Sequence, residues 1–178
     1  LLLLVFVDKG LRDDCSACSM DAVPFGLMGV IGNKGVVAAS LRVRGSTLCV
    51  VNCHLTAHRT PTALAARNSE YAQAVQRLAF DGKTAAAPTL AAHNFIVWLG
   101  DMNYRLMLTN AEVRKLSAER AWKALYGVDE LRAARAAGAA FDGFSEAPLE
   151  FAPTDKDDLA SADFDTSEKQ RVPAWCDR

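Results

Sequence analysis

A chain of 178 residues with 51% hydrophobic content is long enough for one globular core and too short for two. Twenty basic residues stand against 21 acidic ones, a formal charge of −1, which excludes a protein whose whole surface is a footprint for nucleic acid, so any anion site is local. The apolar stretch at residues 1–7 falls far below the roughly 20 residues of a membrane span and lacks the basic flank of a secretory signal.

In chain order, residues 1–7 are predicted to form a buried strand already under way at residue 1, so the chain reads as a piece of something longer. Residues 8–21 are polar and predict a surface connection. The five cysteines are an odd number in no disulfide spacing, which predicts a reducing compartment. Cys15 and Cys18 form a lone Cys-x-x-Cys without a second pair or a nearby His, a weak basis for a zinc or redox site.

Next comes a glycine-rich run ending Gly32-Asn33-Lys34-Gly35. It lets backbone approach a ligand closely, and Lys34 can meet a phosphate. It is no Walker loop, because no Ser or Thr follows Lys34 and strand-like residues 36–43 follow instead of a helix; alone it reads first as a hairpin. Residues 36–43 and 47–52 predict an antiparallel pair. The second strand runs into Asn52-Cys53-His54, placing His54 just past a buried strand, and His54 rather than His58 is the candidate functional histidine. Thr60-Pro61 predicts a helix start, with Leu64, Tyr71, Val75 and Leu78 on the packing face and an end near Asp81-Gly82.

Residues 95–99 are an unbroken apolar run predicting a fully buried strand, halted by Gly100-Asp101-Met102-Asn103. If the chain stays extended, Asp101 and Asn103 share one face at the strand's carboxyl end, where open α/β sheets keep their ligands. Thr109-x-x-Glu112 is a capping box. Ser117 is predicted to start a short helix carrying Trp122, Leu125 and Tyr126, and residues 131–137 a further one ending near Gly138. Arg114, Arg120, Arg132 and Arg135 read as a solvated face. From Thr154 onward seven acids (Asp155, Asp157, Asp158, Asp163, Asp165, Glu168, Asp177) face four bases (Lys156, Lys169, Arg171, Arg178), so the tail is no generic basic patch. Its end, Pro173-Ala174-Trp175-Cys176-Asp177-Arg178, offers Trp175 to the core.

A carboxylate, a histidine and amides without an activated Ser or Cys suit attack by water on a phosphoryl group better than a covalent nucleophile. Phosphoryl transfer chiefly needs positioning and charge neutralisation. The glycine-rich block from Phe25 to Gly35, the block from Asn52 to His58, the block from Trp98 to Arg105, and the block from Phe164 to Arg178 resemble, in that order, the signature blocks of the inositol polyphosphate 5-phosphatase catalytic domain. The resemblance spans the whole chain, which would be the central and C-terminal part of one such domain.

It implies an α/β fold of the deoxyribonuclease-I-like kind, two sheets packed face to face with helices outside, and Mg²⁺-dependent removal of the 5-phosphate from phosphoinositides or soluble inositol phosphates. Carried over by motif, Asp101 would act on the attacking water, Asn103 would hold the scissile phosphate and His54 would donate to its oxygens. Lys156, Lys169 and Arg171 match positions gripping the neighbouring 4-phosphate, and Asn33 and Lys34 match the 1-phosphate side. Phe25, Leu27 and Met28 match a loop facing lipid chains, which implies a cytoplasmic protein peripheral at membranes that takes no nucleic acid. The family's Mg²⁺-holding Glu would lie ahead of residue 1 and its catalytic His block after Arg178, so these residues alone are expected to be inactive. The family's Thr-Tyr-Lys-Tyr-Asp is here Thr154-Asp155-Lys156-Asp157-Asp158. That departure predicts either a weakened 4-phosphate preference or an Asp155 that holds Lys156 back. Two other readings stay open: a degenerate domain that binds phosphoinositides or a partner without turnover, and a nuclease of the same fold.

Overall fold

The computed structural model describes residues 1–26, 33–80, 88–158, 161 and 163–178. In chain order its elements are β1 (Cys15–Phe25), β2 (Lys34–Val43), β3 (Ser46–His54), α1 (Pro61–Arg77), β4 (Phe95–Asp101), α2 (Asn110–Ala118), α3 (Trp122–Gly127) and α4 (Glu130–Ala136). Two compact units result: Leu1–Thr56 with Ser69–Met102, and Ala57–Asn68 with Asn103–Arg178.

The first unit is built on a four-stranded sheet in the order β1-β2-β3-β4. β1 pairs antiparallel with β2 and β2 with β3, as expected for the second pair, whereas β3 and β4 run parallel. The β2–β3 turn places Arg44 and Gly45 at φ 48° and 85°, the left-handed pair of a two-residue hairpin whose twist suits its strands. Val23, Val36, Ala38, Cys49, Val51, Cys53 and Trp98 turn to one buried face, with Tyr71 of α1 tilted against Trp98 at 5.3 Å. Burial pushes the thiols of Cys49 and Cys53 up to about 12. They are inert core groups.

Three expectations fail here. Residues 1–7 form no strand: Leu2 and Phe6 are 72% and 88% exposed, and Asn52 Nδ2 donating to Leu2 O at 3.0 Å tethers the segment in place of a ladder. Apolar composition does not make a strand without a pairing partner. The polar connection expected over residues 8–21 gives way after a 3-10 turn, Lys9–Asp14, to β1. An edge strand needs only one buried face, supplied by Val23 and Phe25, while Asp21 is satisfied by the Ala79 N–H at 3.0 Å. β4 is likewise an edge strand, so Phe95 and Val97 are 62% and 47% exposed instead of fully buried.

The sheet's other face, with Met20, Val37, Ala39 and Leu41, joins Leu1, Leu2 and Val5 around a cavity of about 750 Å³. The described strands form this one sheet, so the second sheet of the expected sandwich is not among them. No described helix is long and apolar enough to cross a membrane.

In the second unit Leu106, Val113, Leu125, Ala174, Trp175 and Cys176 form the core, so Trp175 is buried as expected. The Thr109/Glu112 capping box opens α2 with both reciprocal bonds made. Ser117 lies buried inside that helix and α3 starts instead at Trp122. Asp129 caps α4, and Gly138 closes it at φ 64°. The arginines are not one solvated face. Arg114 donates to Phe164 O and Asp165 O at 3.3 and 2.6 Å, Arg132 lies over the Tyr126 ring, and Arg135 donates to Phe144 O. Arg178 closes the unit by donating to the buried Asp129 and, at 3.2 Å, to Glu146.

Candidate active site

In the first unit the parallel register sets His54 directly beside Asp101, both at the carboxyl ends of their strands as the sequence implies. His54 Nε2 lies 3.1 Å from Asp101 Oδ2, each side chain about one-third exposed, and Lys34 Nζ meets the same His54 nitrogen. Lys34 arrives there because it opens β2, one register step from Gly35, the partner of His54. A carboxylate, an imidazole and an ammonium are therefore contiguous and open to solvent, which lets the carboxylate take a proton, the imidazole hold that carboxylate and the ammonium offer donors to an anion. A cleft of about 310 Å³ lined by Pro24, Asn33, Lys34 and Gly35 opens beside β2.

Two backbone features hold this end of the sheet. Gly100 sits at φ 120°, and a Cβ there would lie 2.3 Å from Cys53 O, so the approach that sets His54 against Asp101 requires glycine. Glu70, 8% exposed on α1, accepts the Thr56 N–H and hydroxyl at 2.8 and 2.5 Å, which fixes the exit of β3 two residues past His54. Phe25 is 5% exposed and pairs with Lys34 at the end of β1. The strand period turns it into the core, so it offers nothing to a lipid, contrary to expectation. Leu27 and Met28 lie outside the described residues.

The alternation argument does not carry past Asp101. The Met102 N–H bonds back to Gly100 O at 3.0 Å and Asn103 takes φ 57°, so the chain turns instead of staying extended. In the second unit Asn103 is 3% exposed. Arg105 donates from Nε to Asn103 O at 3.0 Å and from a terminal nitrogen to Asn103 Oδ1. With Oδ1 facing a guanidinium, the other end of the amide is its donating NH₂, the end that a phosphate oxygen requires.

Asp165, whose side chain is 4% exposed, organises the tail. Its N–H donates to Lys156 O at 2.8 Å, and its carboxylate accepts the Ser167 and Arg171 N–H groups, each at 3.1 Å, and the Arg171 guanidinium at 3.3 Å. Lys156 and Arg171 are thereby brought to one loop, with Lys169 exposed between Ser167 and Arg171. The Ser167 hydrogen bond and then Arg171 hold the Asp165 carboxyl well below the usual carboxylate range. A depressed folded-state value stabilises above the unfolded value and loses that stabilisation as pH falls. In paired thermal melts the wild type therefore exceeds Asp165→Asn most at neutral pH, with a gap that narrows from about pH 4 downward; a gap independent of pH would contradict this ordering role.

Asp155 has a different partner from the one considered in the sequence. Its Oδ2 takes Arg105 at 3.2 Å and the Cys176 thiol at 3.2 Å, rather than holding Lys156. Burial, then Asp155 and Asp158, raise the Asp157 carboxyl, and Asp158 accepts the Thr166 hydroxyl at 2.6 Å.

Among the described residues no three His, Cys, Asp or Glu side chains gather into a metal site. Asp101 is the hard-oxygen donor present in the first cluster, and alone it does not make a magnesium cage. Sequence reading missed Glu70, Asp165, Arg67 and Glu130. For the α1 pair a signal existed, since Arg67 and Glu70 fall on the buried stripe that Ala63 and Ala74 mark on that helix and Leu78 extends just past its end.

The sequence model for endonuclease/exonuclease/phosphatase family 2 matches residues 1–178. The chain is 41% identical to the mouse type II inositol 1,4,5-trisphosphate 5-phosphatase over 181 residues, covering all of this chain and 18% of that protein. Against the Arabidopsis thaliana type I inositol polyphosphate 5-phosphatase 2 it is 36% identical, covering 98% of this chain and 28% of the relative. Among solved structures, the inositol polyphosphate 5-phosphatase domain of SPsynaptojanin, in complex with inositol (1,4)-bisphosphate and calcium ion, superposes with a TM-score of 0.86 at 32% identity, over 96% of this chain and 48% of that one. The chain thus spans less than half of each of these proteins.

Proposed function

This chain belongs to endonuclease/exonuclease/phosphatase family 2, and on that footing we propose that the whole protein hydrolyses the 5-phosphate of phosphoinositides or soluble inositol polyphosphates with Mg²⁺. The observation that carries the reading is the contiguous Asp101, His54 and Lys34 at the ends of paired strands, in a chain related along its length to inositol phosphatases. Asp101 takes the proton of the attacking water. His54 Nε2 holds that carboxylate, and the Lys34 ammonium beside it offers donors to a phosphate oxygen. Asn103 presents its amide NH₂ to a phosphate oxygen, held in that orientation by Arg105. A bound divalent cation would neutralise phosphate charge and polarise the scissile group. Its principal ligands are expected in parts of the protein beyond these residues, and the 178 residues alone are expected to be inactive because groups that act as a unit fail together. The site works in the cytoplasm at a membrane surface.

Phosphate release from a panel of phosphoinositides and inositol phosphates, with Mg²⁺ and with chelator, tests the reading. Release confined to 5-phosphorylated substrates and stopped by chelator is expected, and chelator-resistant release overturns the metal requirement. Lys156, Lys169 and Arg171 serve a phosphate neighbouring the scissile one, and Asn33 the opposite side; Lys34, matched by motif to that same side, is turned to the scissile phosphate by its contact with His54. Because Asp155 and Asp157 flank Lys156 in the chain where the family has two tyrosines, the 4-phosphate is bound weakly here. Asp155→Tyr also removes a partner of Arg105, so the effect is read as a ratio: kcat/KM on substrates carrying a 4-phosphate rises about tenfold relative to those without. Equal gains on both classes would discard that assignment.

A further inference from the structure

Arg67 and Glu130 form an ion pair at 2.6 Å whose side chains are 0% and 6% exposed. Burying two charges is a poor way to stabilise a fold, since well-packed apolar residues of similar volume do as well or better. What the carboxylate does here is specific to its oxygen. Glu130 Oε2 also accepts the Arg105 N–H at 2.9 Å, and the Glu130 N–H donates to Arg105 O at 2.9 Å. One residue thus takes both backbone groups of Arg105.

Arg67 holds the carboxylate in place. It donates to His58 O at 3.0 Å and its guanidinium lies 5.3 Å from the centre of the Tyr104 ring. The Tyr104 hydroxyl donates to Asn68 Oδ1 at 2.7 Å. The two residues that follow the left-handed Asn103 are therefore fixed, and the guanidinium that Arg105 lends to Asn103 starts from a pinned backbone.

We infer that Glu130, with its charge held by Arg67, is a positioning residue: by clamping the backbone of Arg105 it sets the guanidinium that orients the Asn103 amide. This rests on the phosphatase reading for its kinetic consequence and on geometry alone for the clamp. Without the clamp the turn relaxes and the amide loses its fixed orientation. A displacement of about 1 Å in a phosphate-orienting group costs about 100-fold in rate. The loss falls on kcat, because the contact that the oriented amide makes is stronger in the transition state than in the bound substrate.

The test uses the whole protein with Arg67→Met and Glu130→Leu combined, an apolar replacement expected to keep Tm, and Glu130→Gln, which keeps an acceptor oxygen without the charge. Phosphate release and hydrogen exchange of the Arg105 amide are measured on each. The double variant is expected to lose about 100-fold in kcat with KM within about threefold and Tm retained, and Glu130→Gln about tenfold. Wild-type kcat in a folded double variant overturns the inference. If the double variant does not fold, Glu130→Gln decides: stranding the buried Arg67 charge lowers its Tm, so kcat is read below that Tm, where a loss in the folded variant supports the clamp and unchanged kcat and exchange overturn it. If wild type releases no phosphate from any substrate, the functional reading has failed separately. The clamp is then judged by the Arg105 amide, whose protection drops about 100-fold in the folded variants if the inference holds and stays unchanged if it does not.

Discussion

Asp101→Asn lowers kcat/KM for phosphate release by about 1,000-fold, the scale of a positioned general base, with Tm and circular dichroism close to wild type. The amide keeps the size of the carboxylate and can still meet His54 Nε2, so the strand ends stay joined, but it takes no proton at neutral pH. The carboxylate is one-third exposed, so replacing it leaves no buried charge stranded and stability is little affected. A loss in kcat/KM of less than about threefold, with the variant folded, would remove Asp101 from the chemistry.

Gly100→Ala has the largest expected effect on stability. The added methyl would lie 2.3 Å from Cys53 O and 2.6 Å from Cys53 N, both backbone atoms of the paired strand, so neither can swing aside. The backbone at φ 120° is also one that an L side chain resists. Relief requires β3 and β4 to part where His54 faces Asp101. The expected cost is roughly 3 kcal/mol, overpacking and backbone strain together, read as a lower urea midpoint at unchanged slope. Activity falls further than stability requires, because the separation opens the His54–Asp101 contact. A cost under about 0.5 kcal/mol, the range of an ordinary surface substitution, would show that the strands are not set by this glycine.

Much of this site was legible because strand ends carry their chemistry in order. An apolar run that stops at Gly100-Asp101 announces a carboxylate at a sheet edge, and Asn52-Cys53-His54 announces its neighbour; only the parallel register needed the structure. The β2–β3 hairpin, the capping box and buried Trp175 were equally local signals. What failed was what depends on partners. Residues 1–7 have strand composition but no ladder, and β1 hid its period of two behind Ser16, Ser19 and Asp21. Phe95 and Val97 look buried in sequence because apolarity does not say whether the second face of an edge strand is covered. The positioning groups were least visible. Glu130 and Asp165 work through backbone N–H groups, which carry no sequence signature, whereas Arg67 and Glu70 were marked only by falling on the buried stripe of α1.

The central claim is that this site removes one particular phosphate. The most direct measurement is phosphorus NMR of the products that the whole protein makes, in Mg²⁺, from an inositol polyphosphate bearing both 4- and 5-phosphates. The expected result is loss of the 5-phosphate with the 4-phosphate intact, absent in Asp101→Asn. Removal of the 4-phosphate, or identical products from Asp101→Asn at the wild-type rate, would contradict it.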